Sequence, residues 1–249
     1  MKKRFFTSES VTSGHPDKVC DYIADSILDE AIRQDPYSHM AVEATIKDDL
    51  ILVYGEANTK ADLDYEAIAL NAIREIGYKE EYHVEIKVNK QSAEINDAVA
   101  HDEISAGDQG IMFGYADDET EEYMPFAINC AHKLARQLEK VRREDARFMP
   151  DGKTQVTVEY DDGKLARIDA IVVSTQHTKD ITQEELHELI KEKVIDPIVD
   201  KKYIDENTKY LINPSGSFVL GGSWGDSGTT GRKIVVDTYG GYAPIGGGC

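Results

Sequence analysis

The sequence predicts an α/β protein of the α+β type, in which helix, hairpin, helix and strand recur and each mixed or antiparallel sheet has helices on one face. Three observations carry this prediction. Apolar residues change between helical and alternating spacing in the same order twice along the chain. Each hairpin is marked by adjacent aspartates, Asp48-Asp49 and Asp161-Asp162. The chain has 249 residues, 41% hydrophobic and 30% charged, which suits a folded protein of one or two domains and excludes a disordered or collagenous one.

The first helix is predicted from His15 to Gln34. It follows the capping-type Ser13 and Pro16, repeats Val19, Ile23, Ile27 and Ala31 every four residues, and stops before Asp35-Pro36. The segments 41–47 and 50–57 flank Asp48-Asp49 as an antiparallel hairpin. A second helix over 64–76 is closed by Gly77, where a left-handed cap is wanted, and 83–88 alternates like a strand.

After a polar loop and the short apolar run 110–115, the order returns. A helix over 125–141 places Ile128, Ala131, Leu134, Ala135, Leu138 and Val141 on one side. The segments TQVTVEY and LARIDAIVVS pair around Asp161-Asp162-Gly163. A helix over 182–195 carries Glu184 and Glu185 in its first turn, and 209–213 is a short strand. The run 110–115, read as a strand flanked by glycines, and a last expected strand, KIVVDTYGG (233–241), belong to neither complete repeat.

Charge excludes further classes. With 28 Lys+Arg against 47 Asp+Glu the formal net charge is −19, which argues against nucleic acid or an anionic membrane as the main partner. Cys20, Cys130 and Cys249 are far apart and form no CxxC or Cys/His pattern, so neither a disulfide framework nor a zinc site is indicated. The basic start MKKRFFTSESV lacks an apolar run of signal-peptide length, and no later segment reads as a membrane span. The expectation is a cytoplasmic protein.

Two segments could carry chemistry. The run from Gly221 to Lys233 packs five glycines, Asp226, the single tryptophan and Arg232-Lys233. Glycines let backbone N–H groups approach an anion, and the cations would compensate phosphate charge. It matches neither a Walker loop nor GxGxxG, so an ordinary surface loop remains open beside a phosphate loop. In SGHPDK, His15, Asp17 and Lys18 crowd the first turn of a helix, where free N–H groups favour an anion and Asp17 could hold Mg²⁺. A capped helix start with Pro16 at its first position explains the same residues. His-Pro-Asp also occurs in J-domain co-chaperones, after a basic helix; TSESVTSG precedes it here, and that reading is set aside. Glu43 and Glu56 sit among apolar residues in the first hairpin, open to a ligand or to an edge exposure.

Taken together, SGHPDK, GDQGIMFGYA (107–116), STQH (174–177), INPSGSFVLGG and GDSGTTGRKIVVDTYGG resemble, in order and along the entire chain, the S-adenosylmethionine synthetases, or methionine adenosyltransferases. The resemblance implies three similar α/β domains about a pseudo-threefold axis. On that plan residues 1–13 with 119–221 form an N-terminal α/β domain, 14–94 with 222–249 a central one, and 95–118 a ribbon of a C-terminal domain that is largely missing. It also implies pairing through sheet faces into homodimers or homotetramers with sites between subunits.

The implied reaction is attack of L-methionine sulfur on C5′ of ATP, expelling triphosphate, which is hydrolysed to phosphate and diphosphate. Triphosphate carries about four negative charges, so cations and Mg²⁺ must neutralise it. By motif match, His15 sits at the leaving oxygen, Asp17 at Mg²⁺, and Lys153, Arg232 and Lys233 on the phosphates. Asp151, Gly152, Ser217 and Cys249 fall at further ATP positions. Phe218 would stack on adenine, and Asp226 would contact nucleoside and methionine. Glu56, Gln91 and Asp108 match methionine positions, Glu43 matches a K⁺ ligand, and the segment from Gln91 to about His101 matches a mobile loop gating the site.

The chain departs from the pattern at Ser217 (usually Arg), Thr229 (usually Leu), Ile245 (usually His) and QSAEI, with Ala93 and Glu94 where QSPDI is common. In the family the triple glycine leads to a segment with two more active-site lysines and a metal-binding aspartate. From the resemblance, the 249-residue chain alone is expected to bind ATP weakly and to form little product. The alternative is a non-catalytic binding or regulatory subunit that keeps the dimer face.

Overall fold

The computed structural model describes residues 3–90 and 110–246. They form two compact units. One gathers residues 3–15, 113–221 and 233–245, the other 16–90, 110–112, 222–232 and 246. Each contains a four-stranded mixed sheet with helices packed on one face, the predicted layering.

In the first unit, β1 (Lys3–Val11), β5 (Phe148–Asp161), β6 (Lys164–His177) and β7 (Lys209–Ile212) lie in the order β1-β5-β6-β7. The first two pairings are antiparallel and the last is parallel. The β5–β6 turn places Asp162 and Gly163 at φ of 48° and 81°, the left-handed geometry that a tight hairpin requires. Helix α3 (Phe126–Glu144) buries Ala127, Ala131, Leu134 and Leu138 against Val156, Val158, Ile171 and Val173. Helix α4 (Gln183–Ile190) is capped by Thr182, whose hydroxyl accepts from the Glu185 N–H at 3.2 Å.

In the second unit, β2 (His39–Lys47), β3 (Leu50–Asn58), β4 (His83–Lys90) and β8 (Gly228–Thr229) lie in the order β4-β3-β2-β8. β2 and β3 form the predicted antiparallel hairpin, with Asp48 at φ 51°, and β4 joins β3 in parallel. Helix α1 (Pro16–Gln34) buries the predicted Val19, Ile23, Ile27 and Ala31 with Cys20. Helix α2 (Tyr65–Ile76) is capped by Asp64, which accepts from the Ala67 N–H at 2.9 Å, and ends at left-handed Gly77. The opposite strand faces are left open by these helices: Phe5 and Leu211 are exposed in the first unit, Leu50, Glu43 and Glu56 in the second.

Two expectations are corrected, and a third is refined. Residues 233–241 are not a strand: Ile234–Asp237 form a helical turn, with Asp237 N donating to Lys233 O at 2.9 Å. Residues 110–115 have no regular structure, and Ile111 and Met112 are exposed. Both runs look like strands by composition, but a strand without a neighbour has no ladder to satisfy its backbone. The helix expected over 182–195 ends as an α-helix at Ile190 and continues as a π turn over Lys191–Ile195, with Asp196 N donating to Lys191 O. β1, which periodicity did not single out, is held in register by β5, far away in sequence.

Candidate active site

In the second unit the candidate residues meet around one glycine turn. α1 begins at Pro16 and carries Asp17 in its first turn, buried. The Asp17 Oδ1 accepts from the Thr229 N–H at 3.0 Å and faces the Arg232 guanidinium at 3.4 Å. Gly228 crosses the start of the helix so closely that a Cβ there would lie 2.1 Å from the Pro16 carbonyl oxygen. That approach is why a glycine stands there. On its other side the turn is fixed to β2: Thr45 Oγ1 donates to Gly228 O at 2.7 Å, Thr230 N to Ala44 O at 3.0 Å, and Thr230 Oγ1 to the Glu43 carboxylate.

Glu43 lies opposite Tyr54 and Glu56 opposite Ala41, so the two glutamates are diagonal neighbours on the open sheet face. Asp226 is exposed; its N–H donates to Gly222 O at 3.0 Å and its Oδ1 accepts from Ser227 N at 2.9 Å. The preceding turn Gly222–Gly225 is anchored where Ser223 Oγ donates to Asp48 O at 2.6 Å.

In the first unit a second group of candidates lies along β5 and the loop after β7. His15 is buried, its N–H donating to Thr12 O at 3.1 Å. Thr12 ties this segment to β5: its N–H donates to Gly152 O at 2.9 Å and its hydroxyl to Pro150 O at 2.7 Å. Asp151 and Gly152 are buried beside it, whereas Lys153, registered between Val11 and Ser174, is exposed. Ser217 is exposed and Phe218 half-buried in the loop 213–221. Lys233 precedes the helical turn Ile234–Asp237 and is half-buried. Gln91, Asp108 and Cys249, with the expected gating loop, lie outside the described residues.

The structure adds residues that motif reading did not single out. His177 and Gln176 hold the Phe218 loop: Phe218 N donates to His177 Nε2 at 3.0 Å and Gln176 Nε2 donates to Val219 O at 3.1 Å. Gly221 rests on the Gln176 side chain, which a Cβ would approach to 2.6 Å. Asn213 closes the loop base by accepting from Thr175 N at 2.8 Å and donating to Thr175 O at 3.0 Å. The signal was present in STQH and INPSG, but reciprocal bonds across that distance are invisible to local pattern.

Among the described residues no group of three or more His, Cys, Asp or Glu side chains is placed to hold a metal. Mg²⁺ takes oxygen ligands and commonly uses one or two carboxylates with substrate phosphates, so the buried Asp17 beside the Arg232 guanidinium fits it. Glu43, next to the Thr230 hydroxyl, offers oxygen donors suited to a monovalent cation. Burial, with Asp17 and Asp21 nearby, pushes the Cys20 thiol well above its ordinary range.

Family models of S-adenosylmethionine synthetase match the chain in consecutive stretches: the N-terminal-domain model over residues 3–102, the central-domain model over 103–218 and the C-terminal-domain model over 220–249. Over its full length the chain is 46% identical to the S-adenosylmethionine synthase of Brachyspira hyodysenteriae (strain ATCC 49526 / WA1). Over 99% of its length it is 48% identical to that of Clostridium tetani (strain Massachusetts / E88). It spans 68% of each of these two proteins.

Proposed function

The chain belongs to the S-adenosylmethionine synthetase family, and we propose that it carries that family's ATP and L-methionine chemistry on the residues described above. The observation that carries this reading is the meeting of Asp17 and Arg232 at 3.4 Å on the glycine turn, a carboxylate suited to Mg²⁺ beside a guanidinium suited to phosphate.

A methionine sulfur lone pair forms the new bond to C5′ as the C5′–O bond breaks, and its electrons leave with triphosphate. Sulfur becomes a sulfonium. Water then cleaves triphosphate to phosphate and diphosphate. His15 donates a hydrogen bond to the leaving oxygen, and Lys153, Arg232 and Lys233 bear on the phosphate oxygens, where charge grows in the transition state. Phe218 stacks on adenine, while Asp151, Gly152, Ser217 and Cys249 line the nucleotide. Asp226, Glu56, Gln91 and Asp108 orient methionine. When bound at Asp17 and Glu43, Mg²⁺ and K⁺ supply charge neutralisation and order to the same groups.

The proposal extends to organisation: copies pair through the sheet faces bearing Leu50, Glu43 and Glu56, while of the ribbon expected over 95–118 residues 95–109 lie outside the described ones and 110–118 include no strand. No helix among the described residues is long and apolar enough to cross a membrane; a cytoplasmic setting is proposed from the sequence, with no nucleic-acid partner for so acidic a chain.

The test incubates purified protein with ATP, methionine, Mg²⁺ and K⁺ and follows S-adenosylmethionine and phosphate products. Product that falls at least about 100-fold in Lys153→Ala supports the assignment. Product indifferent to Lys153→Ala and Arg232→Ala would sink it. The chain alone is expected to form little product, so only ATP binding with no detectable turnover favours the non-catalytic subunit.

A further inference from the structure

The glycine turn has a second carboxylate anchor. Asp17 and Asp21 are one helical turn apart and share a face of α1. The turn 228–232 runs along this face and gives each of them a backbone N–H: Thr229 to Asp17 at 3.0 Å, and Gly231 to Asp21 Oδ1 at 2.9 Å. Gly231 is left-handed, at φ 75°, which turns its N–H toward the helix just before Arg232. The other Asp21 oxygen faces Lys18 Nζ at 3.1 Å, and the Asp21 side chain is only 16% exposed. A hydrogen bond to an ionised acceptor at such a half-sheltered place is stronger than a neutral one.

We propose that Asp21 is the positioning residue for Arg232: its carboxylate holds the Gly231 N–H, keeps the turn left-handed there, and so presents the guanidinium beside Asp17. Asp21 touches no substrate. The proposal rests on the phosphate-binding reading of Arg232 given above. Its logic comes from a division of labour. Asp17 is the carboxylate that reading commits to a cation, and the Asp21 bond to Gly231 can hold the turn while Asp17 is engaged. Lys18 offsets the Asp21 charge, so the pair adds little net field to the phosphate position.

The test compares Asp21→Ala and Asp21→Asn with the parent chain by amide hydrogen exchange at Gly231 and by calorimetric titration with inorganic triphosphate and Mg²⁺. Asp21→Ala is expected to speed exchange at Gly231 by roughly tenfold or more and to weaken triphosphate binding about tenfold. Asp21→Asn, whose amide oxygen still accepts, restores both toward the parent, which a merely destabilised helix would not do. Melting temperatures identify a variant that fails to fold, and Asp21→Asn then carries the comparison with Lys18→Ala, which keeps the acceptor and is expected to leave Gly231 protected. Unchanged exchange at Gly231 in Asp21→Ala overturns the proposal. So does faster exchange with unchanged triphosphate affinity, because the turn would then be held without Arg232 being positioned. A parent chain with no triphosphate affinity, equal to Arg232→Ala, overturns the phosphate reading and the proposal with it.

Discussion

Phe218 and His177 hold each other through two hydrogen bonds, one in each direction: Phe218 N donates to His177 Nε2 and His177 N donates to Phe218 O, both at 3.0 Å. Because Nε2 accepts, the ring proton sits on Nδ1, which donates to Thr178 O at 2.8 Å. One neutral tautomer thus satisfies a strand end and the loop that carries the aromatic ring.

Replacing that histidine tests the arrangement. His177→Ala leaves a backbone N–H without its acceptor, which costs about 1–3 kcal/mol. Urea denaturation is expected to read a loss of this size, and calorimetry with ATP a weakening of roughly tenfold. Full retention of nucleotide affinity would show that the loop does not need His177.

Gly228 and Gly231 are glycines for different reasons, and alanine separates them. At Gly228 a Cβ would lie 2.1 Å from a backbone oxygen that cannot move aside, so Gly228→Ala is expected to cost more than about 2 kcal/mol. At Gly231 a Cβ meets nothing within 4 Å and only the left-handed backbone resists it, a cost of about 1 kcal/mol. Urea denaturation that ranks the two the other way would contradict the packing of the turn on α1.

Cys130 gives the chain an alkaline sensitivity. Burial pushes its thiol up to about 12, from an ordinary value of 9.0. The folded state therefore binds a proton that the unfolded state releases between these values, so the contribution is complete below pH 9 and is lost as pH rises toward 12. Cys20 shifts in the same direction. Stability is expected to fall by on the order of 1 kcal/mol per pH unit above pH 9, and a Cys20→Ala, Cys130→Ala double variant to flatten the slope between pH 9 and 10. Thermal melts across that range check it. Rapid alkylation of either thiol in the native protein at pH 8 would refute the burial.

Tyr242 fastens the segment 233–245 to the first unit. Its ring lies 4.0 Å from that of Phe6, and its hydroxyl is 2.6 Å from that of Tyr160, which donates to Glu119 Oε2 at 3.0 Å. Tyr242→Phe keeps the ring contact and is expected to cost about 1 kcal/mol. Tyr242→Ala loses both and is expected to cost about 3–5 kcal/mol. Equal stabilities for the two variants in denaturant would show that the ring contributes nothing.

Local pattern made much of the fold legible. The spacing of Val19, Ile23, Ile27 and Ala31 located α1, Asp48 and Asp162 marked left-handed turns, and Gly77 ended α2. It failed where a strand depends on a distant neighbour. Ile234, Val235 and Val236 read as a strand, yet they curl into a helical turn that satisfies their backbone locally. Motifs named Asp17, Glu43 and Arg232 as chemistry, but not Asp21, His177 or Gln176, whose roles lie in hydrogen bonds to distant segments.

By itself, then, the sequence determined the repeated helix and hairpin elements, the acidic balance and the family motifs, because each is written in neighbouring residues or in fixed local order. The tertiary structure decided which carboxylate meets which glycine turn. Asp17 receives Thr229, Asp21 receives Gly231 and Glu43 receives Thr230 because α1 and β2 bring their carboxylates to opposite sides of one loop. Hydrogen-bond partners are selected by the packing of whole elements, and that selection is not encoded at any single position along the chain.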